Sequence, residues 1–136
     1  MKRKSLLLVM AGILGCLGVI LGATGKHALE GKVDEELSSG FETGLRYHQI
    51  HGVALLAVAL FSLCLPGSRR QKYLSISGWL IFFGVVVFSG SLYLMAFTGI
   101  LDFGKLTPAG GILLILGWLS LVLVGFFEPK PEANSP

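Results

Sequence analysis

Charge is what this chain has least of. Only 14% of its 136 residues are Asp, Glu, Lys or Arg, where a soluble domain carries about a quarter. Cysteine is nearly absent too. The two present, Cys16 and Cys64, lie inside apolar runs, which excludes a disulfide framework and leaves them as small buried hydrophobes. Catalytic signatures are missing as well: there is no nucleophile elbow, phosphate loop, cysteine pair or paired carboxylate, so nothing commits the chain to catalysis. The net charge of +3 does not point to nucleic acid, because the basic residues flank apolar runs instead of lining one polar face.

Apolar residues are what the chain has in excess. They make up 53% of it, and the mean hydropathy is +0.75. Four segments, about residues 5–25, 47–65, 76–97 and 109–127, carry almost no charge and approach the roughly 20 residues that cross a hydrocarbon core of about 30 Å. In lipid an unpaired backbone group costs several kcal/mol, so such runs must be helical. The sequence therefore predicts an all-α, polytopic membrane protein with four transmembrane helices in one bundle, residues 5–127, whose surroundings are the lipid bilayer.

Breakers mark the ends of the runs: Gly25 and Gly31, Pro66 and Gly67, Gly99, then Pro129 and Pro131. Pro108 suits the first turn of the fourth helix, where its missing N–H is no loss. The one long connection, residues 26–46, holds Asp34, Glu35, Glu36, Leu37, Phe41 and Thr43. That pattern predicts a short amphipathic helix, capped by Asp34, lying at the interface before the second span.

Lys2, Arg3 and Lys4 precede the first span, and Arg69, Arg70 and Lys72 fill the loop after the second. By the positive-inside rule these face the cytoplasm. Residues 1–4 and the tail 128–136 are then both cytoplasmic, in a multi-pass protein of the cell membrane. A cleaved signal peptide or a lipoprotein signal at Cys16 is disfavoured, because the first run is too long and stays apolar to Ala23.

Glycine is abundant. Gly12, Gly15, Gly18, Gly22 and Gly25 fall three and four apart on the first span, and Gly78, Gly84, Gly110, Gly111 and Gly117 give the third and fourth smooth patches. Such faces let helices approach closely in lipid. They serve packing within the bundle, or a contact with a second copy or another membrane protein.

The densest polar group runs from Phe41 to His51. On one helix Glu42 and Arg46 can pair, and His51 faces Tyr47 one turn away. Under the four-span topology His27, His48 and His51 gather at one level on the outer side, with Thr98, Asp102, Thr107 and, a turn deeper, Tyr93. Glu42, Arg46, Tyr47, His51, His27 and His48 form the candidate site. Three readings compete for it: a structural hydrogen-bonded clasp, a proton or solute pathway, and a metal or haem site at His48 and His51. Spacing fixes no further ligand, so no metal and no cofactor are assigned. Ser89, Gly90 and Ser91 read as a packing device.

Gly22-Ala23-Thr24-Gly25-Lys26-His27-Ala28-Leu29, Thr43-Gly44-x-x-Tyr47-His48-x-x-His51, Phe88-Ser89-Gly90-Ser91-Leu92-Tyr93 and Thr107-Pro108-x-Gly110-Gly111 resemble the uncharacterised membrane family called domain of unknown function 423. The resemblance covers about residues 5–127 and implies a four-span cell-membrane protein with no assigned activity or cofactor. Lys26 stands where that family usually has a small residue, placing a charge beside His27 and disfavouring metal there. Glutamine also occurs in the family at the position of His48, which weakens a metal or haem scheme that needs this histidine. The function expected is that of a structural or interaction component of the membrane, with a transport or channel component as the alternative and a metal or haem protein after it.

Overall fold

The computed structural model describes residues 5–127; Lys2, Arg3, Lys4 and the tail 128–136, with Pro129 and Pro131, lie outside the described residues. Every regular element among the described residues is helical. Helix α1 runs Leu6–Leu29, opened by Ser5, whose hydroxyl accepts from the Leu8 N–H. Within it Leu21–Gly25 forms a π-helical turn. There Thr24 Oγ1 donates to the Ile20 carbonyl at 2.7 Å, and such back-bonding loosens a helical ladder. The wider turn rotates the last residues of α1 and presents Gly25 to Phe41, whose ring lies where a Cβ on residue 25 would stand.

Helix α2 runs Glu35–Leu63 without a break. The separate interfacial helix expected before the second span is instead its first half. Nothing between Glu35 and His51 interrupts the helical hydrogen bonding, because Gly40 and Gly44 face α3 instead of ending the helix. Asp34 holds the extended N-cap backbone, but its side chain makes no cap bond. The acids Glu35 and Glu36 in the first turn favour the helix dipole in its place.

Helix α3 runs Arg69–Thr98. Ser68 caps it by accepting from the Gln71 N–H at 3.0 Å, and Gly99 closes it at φ 70°, sending its N–H to the Met95 carbonyl. That left-handed cap is a conformation glycine adopts without penalty. A 3₁₀ segment, Leu101–Leu106, leads into α4, Thr107–Gly125, with Pro108 in its first turn.

Among the described residues three helical stretches are long and apolar enough to cross a membrane: Leu6–Leu29, Arg69–Thr98 and Leu101–Gly125. The expected second span does not meet that measure. Its helix begins with Glu35, Glu36, Glu42, Arg46, His48, Gln49 and His51, which dilute the apolar second half.

Contacts define an antiparallel order. Along α1 and α2, Leu14 meets Gly52, Gly18 meets His48, and Gly25 meets Phe41. Between α2 and α3, Gly44 meets Leu92 while Leu55 reaches Gly78. Between α3 and α4, Phe88 meets Gly110, Leu114 meets Gly84, and Ile81 meets Gly117. A Cβ on Gly110 would lie 2.6 Å from Phe88 Cα, so these two backbones approach at glycine, as helices in lipid do. The core joins Leu14, Leu55, Ile81, Val85 and Leu114.

The exterior inverts the soluble pattern. Val19, Val53 and Ile115 are at least 60% exposed, while His48, His51, Ser77, Ser89 and Ser91 are buried. Apolar side chains outside and polar ones inside suit a hydrocarbon solvent, where polar groups must find internal partners.

Candidate functional site

The site is built on α2 between Phe41 and His51, which contacts all three other helices. Carbonyl oxygens only accept and an indole nitrogen only donates, so the partners fix each histidine tautomer. His48 Nε2–H donates to the Leu14 carbonyl of α1 at 2.8 Å, and its Nδ1 accepts from the Tyr93 hydroxyl of α3 at 3.0 Å. The Leu14 carbonyl can do this within a helix because it has a second lone pair. His51 carries its proton on the other nitrogen. Its Nδ1–H donates to the Tyr47 carbonyl at 2.7 Å, and its Nε2 accepts from Trp118 Nε1–H of α4 at 3.1 Å.

A fifth bond closes the set: Ser89 Oγ of α3 donates to the Gly44 carbonyl at 2.8 Å. Gly44 has no side chain, so Leu92 and Tyr93 can lie against it and the serine can reach the backbone. Aromatic faces fill the space around these bonds. Tyr47 stacks between Phe88, centroids 4.4 Å apart, and His51, 5.6 Å apart. Phe41 packs on Tyr93 and Phe97, and the rings of Trp118 and His51 stand nearly perpendicular, at 70°.

The predicted residues divide. Tyr47, His48 and His51 come together. Glu42 does not pair with Arg46; its carboxylate lies 3.3 Å from Lys26 Nζ, tying the end of α1 to α2. Arg46 is exposed and makes no ion pair among the described residues. His27 is exposed and pairs with Glu30 at 3.5 Å. The three histidines do not share a level: His48 sits opposite Leu14, and the 13 residues from there to His27 amount to about 20 Å of helix. Because α2 starts at Glu35 and runs antiparallel to α1, His48 and His51 fall at the middle of the bundle instead of at its outer end.

Both ring nitrogens of His48 and both of His51 are engaged within the chain. Among the described residues no three His, Cys, Asp or Glu side chains come together in a metal-holding group. A cleft of about 260 Å³ between α1 and α2, floored by Gly15, Gly18 and Gly52, reaches His48 and Gln49, and Gln49 Nε2 lies 3.4 Å from the Gly18 carbonyl.

Trp118 is the site residue the sequence reading passed over. A signal existed: an indole N–H in the middle of an apolar run must find an acceptor on another helix, because lipid offers none.

An antiparallel helical bundle with an apolar exterior, clasped inside by histidine, tyrosine, serine and tryptophan, defines a helical membrane protein. The chain belongs to the family described as Protein of unknown function (DUF423), whose model matches residues 21–111. It is similar to a UPF0382 membrane protein of Staphylococcus epidermidis, 42% identical over 82% of this chain and 90% of the relative. The UPF0382 membrane protein YwdK of Bacillus subtilis is 38% identical over 85% and 92% of the two chains. A UPF0382 membrane protein of Haemophilus influenzae is 42% identical over 96% and 98%. No solved structure gives a significant match.

Proposed function

We propose that this chain is a structural or interaction component of the cell membrane, spanning it four times with both ends in the cytoplasm, and that its histidine cluster is the clasp holding the bundle. One observation carries the reading: every ring nitrogen of His48 and His51 is spent on a bond inside the chain. A transport path or a metal site needs at least one of them free to meet a proton carrier or an ion. That α2 is a fourth span is supported by its 29 residues, about 43 Å of helix, and by the partners that His48, Gln49 and His51 find on neighbouring helices. The cytoplasmic ends are supported by the lysine and arginine bias of residues 2–4 and 69–72.

The interaction surface is the face of α1 holding Gly12 and Gly15, where an added Cβ meets nothing within 4 Å. Gly84, Gly110 and Gly117 are filled from within, and the other open helical glycines, Gly90 and Gly125, stand singly, so the paired Gly12 and Gly15 offer the smooth face for a second copy or another membrane protein. Crosslinking in native membranes tests it. The wild type should give a discrete crosslinked species that a Gly12→Leu variant loses while keeping its monomer stability; equal crosslinking of both would refute the surface. Detergent-purified protein should also be colourless and free of stoichiometric metal, and one haem or metal per chain would overturn the clasp.

A further inference from the structure

The buried polar groups of the histidine cluster all find partners, but one at the end of the bundle where α3 begins does not among the described residues. Arg70 lies in the first turn of α3, and its Nε is buried without a hydrogen-bond partner among the described residues. A guanidinium stays charged at any physiological pH and presents five donors, so an unpaired buried Nε–H is costly. Arg70 lies along a groove of about 320 Å³ where α2, α3 and α4 meet. Its other walls include Ala57, Val58, Phe61, Leu74, Leu121 and Val124.

Among the described residues, charge at this end of the bundle has one sign. Between Glu42 and Asp102 the sequence contains no acidic residue, whereas Arg69, Arg70 and Lys72 cluster at this end. Arg69 is engaged elsewhere, its guanidinium 6.0 Å above the Phe127 ring. Arg70 is thus a cation at the mouth of an apolar channel, and what complements both is an amphiphile with an anionic head and a hydrocarbon chain.

We propose that this groove seats one anionic phospholipid, its phosphate accepting hydrogen bonds from the Arg70 guanidinium and an acyl chain lying along Phe61, Leu74 and Leu121. The pairing is strong because a phosphate matches the planar donor fork in a bidentate geometry. The site rests on the membrane-spanning reading, which puts this groove at headgroup level, but not on which side the groove faces. Where it faces the cytoplasm, the anionic inner leaflet supplies the ligand.

The test is native mass spectrometry of the full chain in detergent, with phosphatidylglycerol, phosphatidylcholine or inorganic phosphate added. Wild type should retain one phosphatidylglycerol at least about tenfold more tightly than phosphatidylcholine. Arg70→Gln should lose that preference, and Arg69→Gln should keep it. Should Arg70→Gln fail to fold, Ala57→Trp, which fills the groove from its exposed rim, should remove the bound lipid while leaving the bundle intact. The competing partner is the Glu128 carboxylate, outside the described residues. If Glu128 holds Arg70, wild type shows no preference and Glu128→Gln acquires one, and the proposal falls. Equal retention of the two lipids in every variant, or displacement of phosphatidylglycerol by inorganic phosphate alone, overturns it as well. Carbonate extraction of cell membranes tests the spanning reading separately: a chain released into the soluble fraction would refute that reading whatever lipid the purified protein binds.

Discussion

His48 and His51 sit three apart on one helix yet hold their protons on opposite nitrogens, because one faces a carbonyl with Nε2 and the other with Nδ1. Nitrogen-15 spectra of labelled protein should therefore resolve one Nε2–H and one Nδ1–H imidazole among the slowly exchanging histidines. Two rings with the same tautomer would contradict the network. Removing a single partner leaves a buried acceptor unsatisfied. Tyr93→Phe and Trp118→Phe should each lower stability by about 1–2 kcal/mol, read from unfolding in mixed micelles. A His48→Ala, Tyr93→Phe double-mutant cycle should show coupling that a His51→Ala, Tyr93→Phe cycle does not. The pairing of Tyr47 with His51 was legible in their spacing of four. The acceptor for His48 was not, since Leu14 offers only a backbone carbonyl that any residue there would supply.

Among the elements, glycine has opposite meanings on different helices. On α4, Gly110 and Gly117 lie where a side chain would strike Phe88 and Ile81. Gly110→Ala should force α3 and α4 apart and destabilise the bundle by about 1–3 kcal/mol. On α1 the reverse holds: Gly12→Ala meets open space and should leave stability unchanged or slightly raised, since alanine is the better helix former. Thermal unfolding of the two variants in one detergent checks both, and equal losses would refute the assignment of faces. The run of glycines on the first span was visible in the sequence. That only its later members, Gly18, Gly22 and Gly25, meet neighbours within 4 Å depends on the π-helical turn and on the register with α2, which spacing alone does not set.

For the whole molecule, the question left by hydropathy is α2, whose first half carries exposed Glu35, Glu36, Glu42 and Arg46 beside the buried His48 and His51. If it spans the membrane, Val53, 69% exposed on its outer surface, faces lipid. A Val53→Cys variant lacking Cys16 and Cys64 should then resist a membrane-impermeant maleimide from either side and react once detergent is added. Ready labelling in intact membranes would remove α2 from the spans. By itself the sequence determined that this is a helical membrane protein, because so little charge and runs near 20 residues leave the backbone no other way to satisfy its hydrogen bonds in lipid. It determined too which residues would sit near one another along α2. Only the tertiary structure decided that Glu42 turns to Lys26, that His27 stands apart, that Trp118 completes the clasp and that Arg70 Nε is buried without a partner among the described residues. Those outcomes depend on antiparallel register, which is the sum of many weak contacts at close helix crossings and is encoded at no single position of the chain.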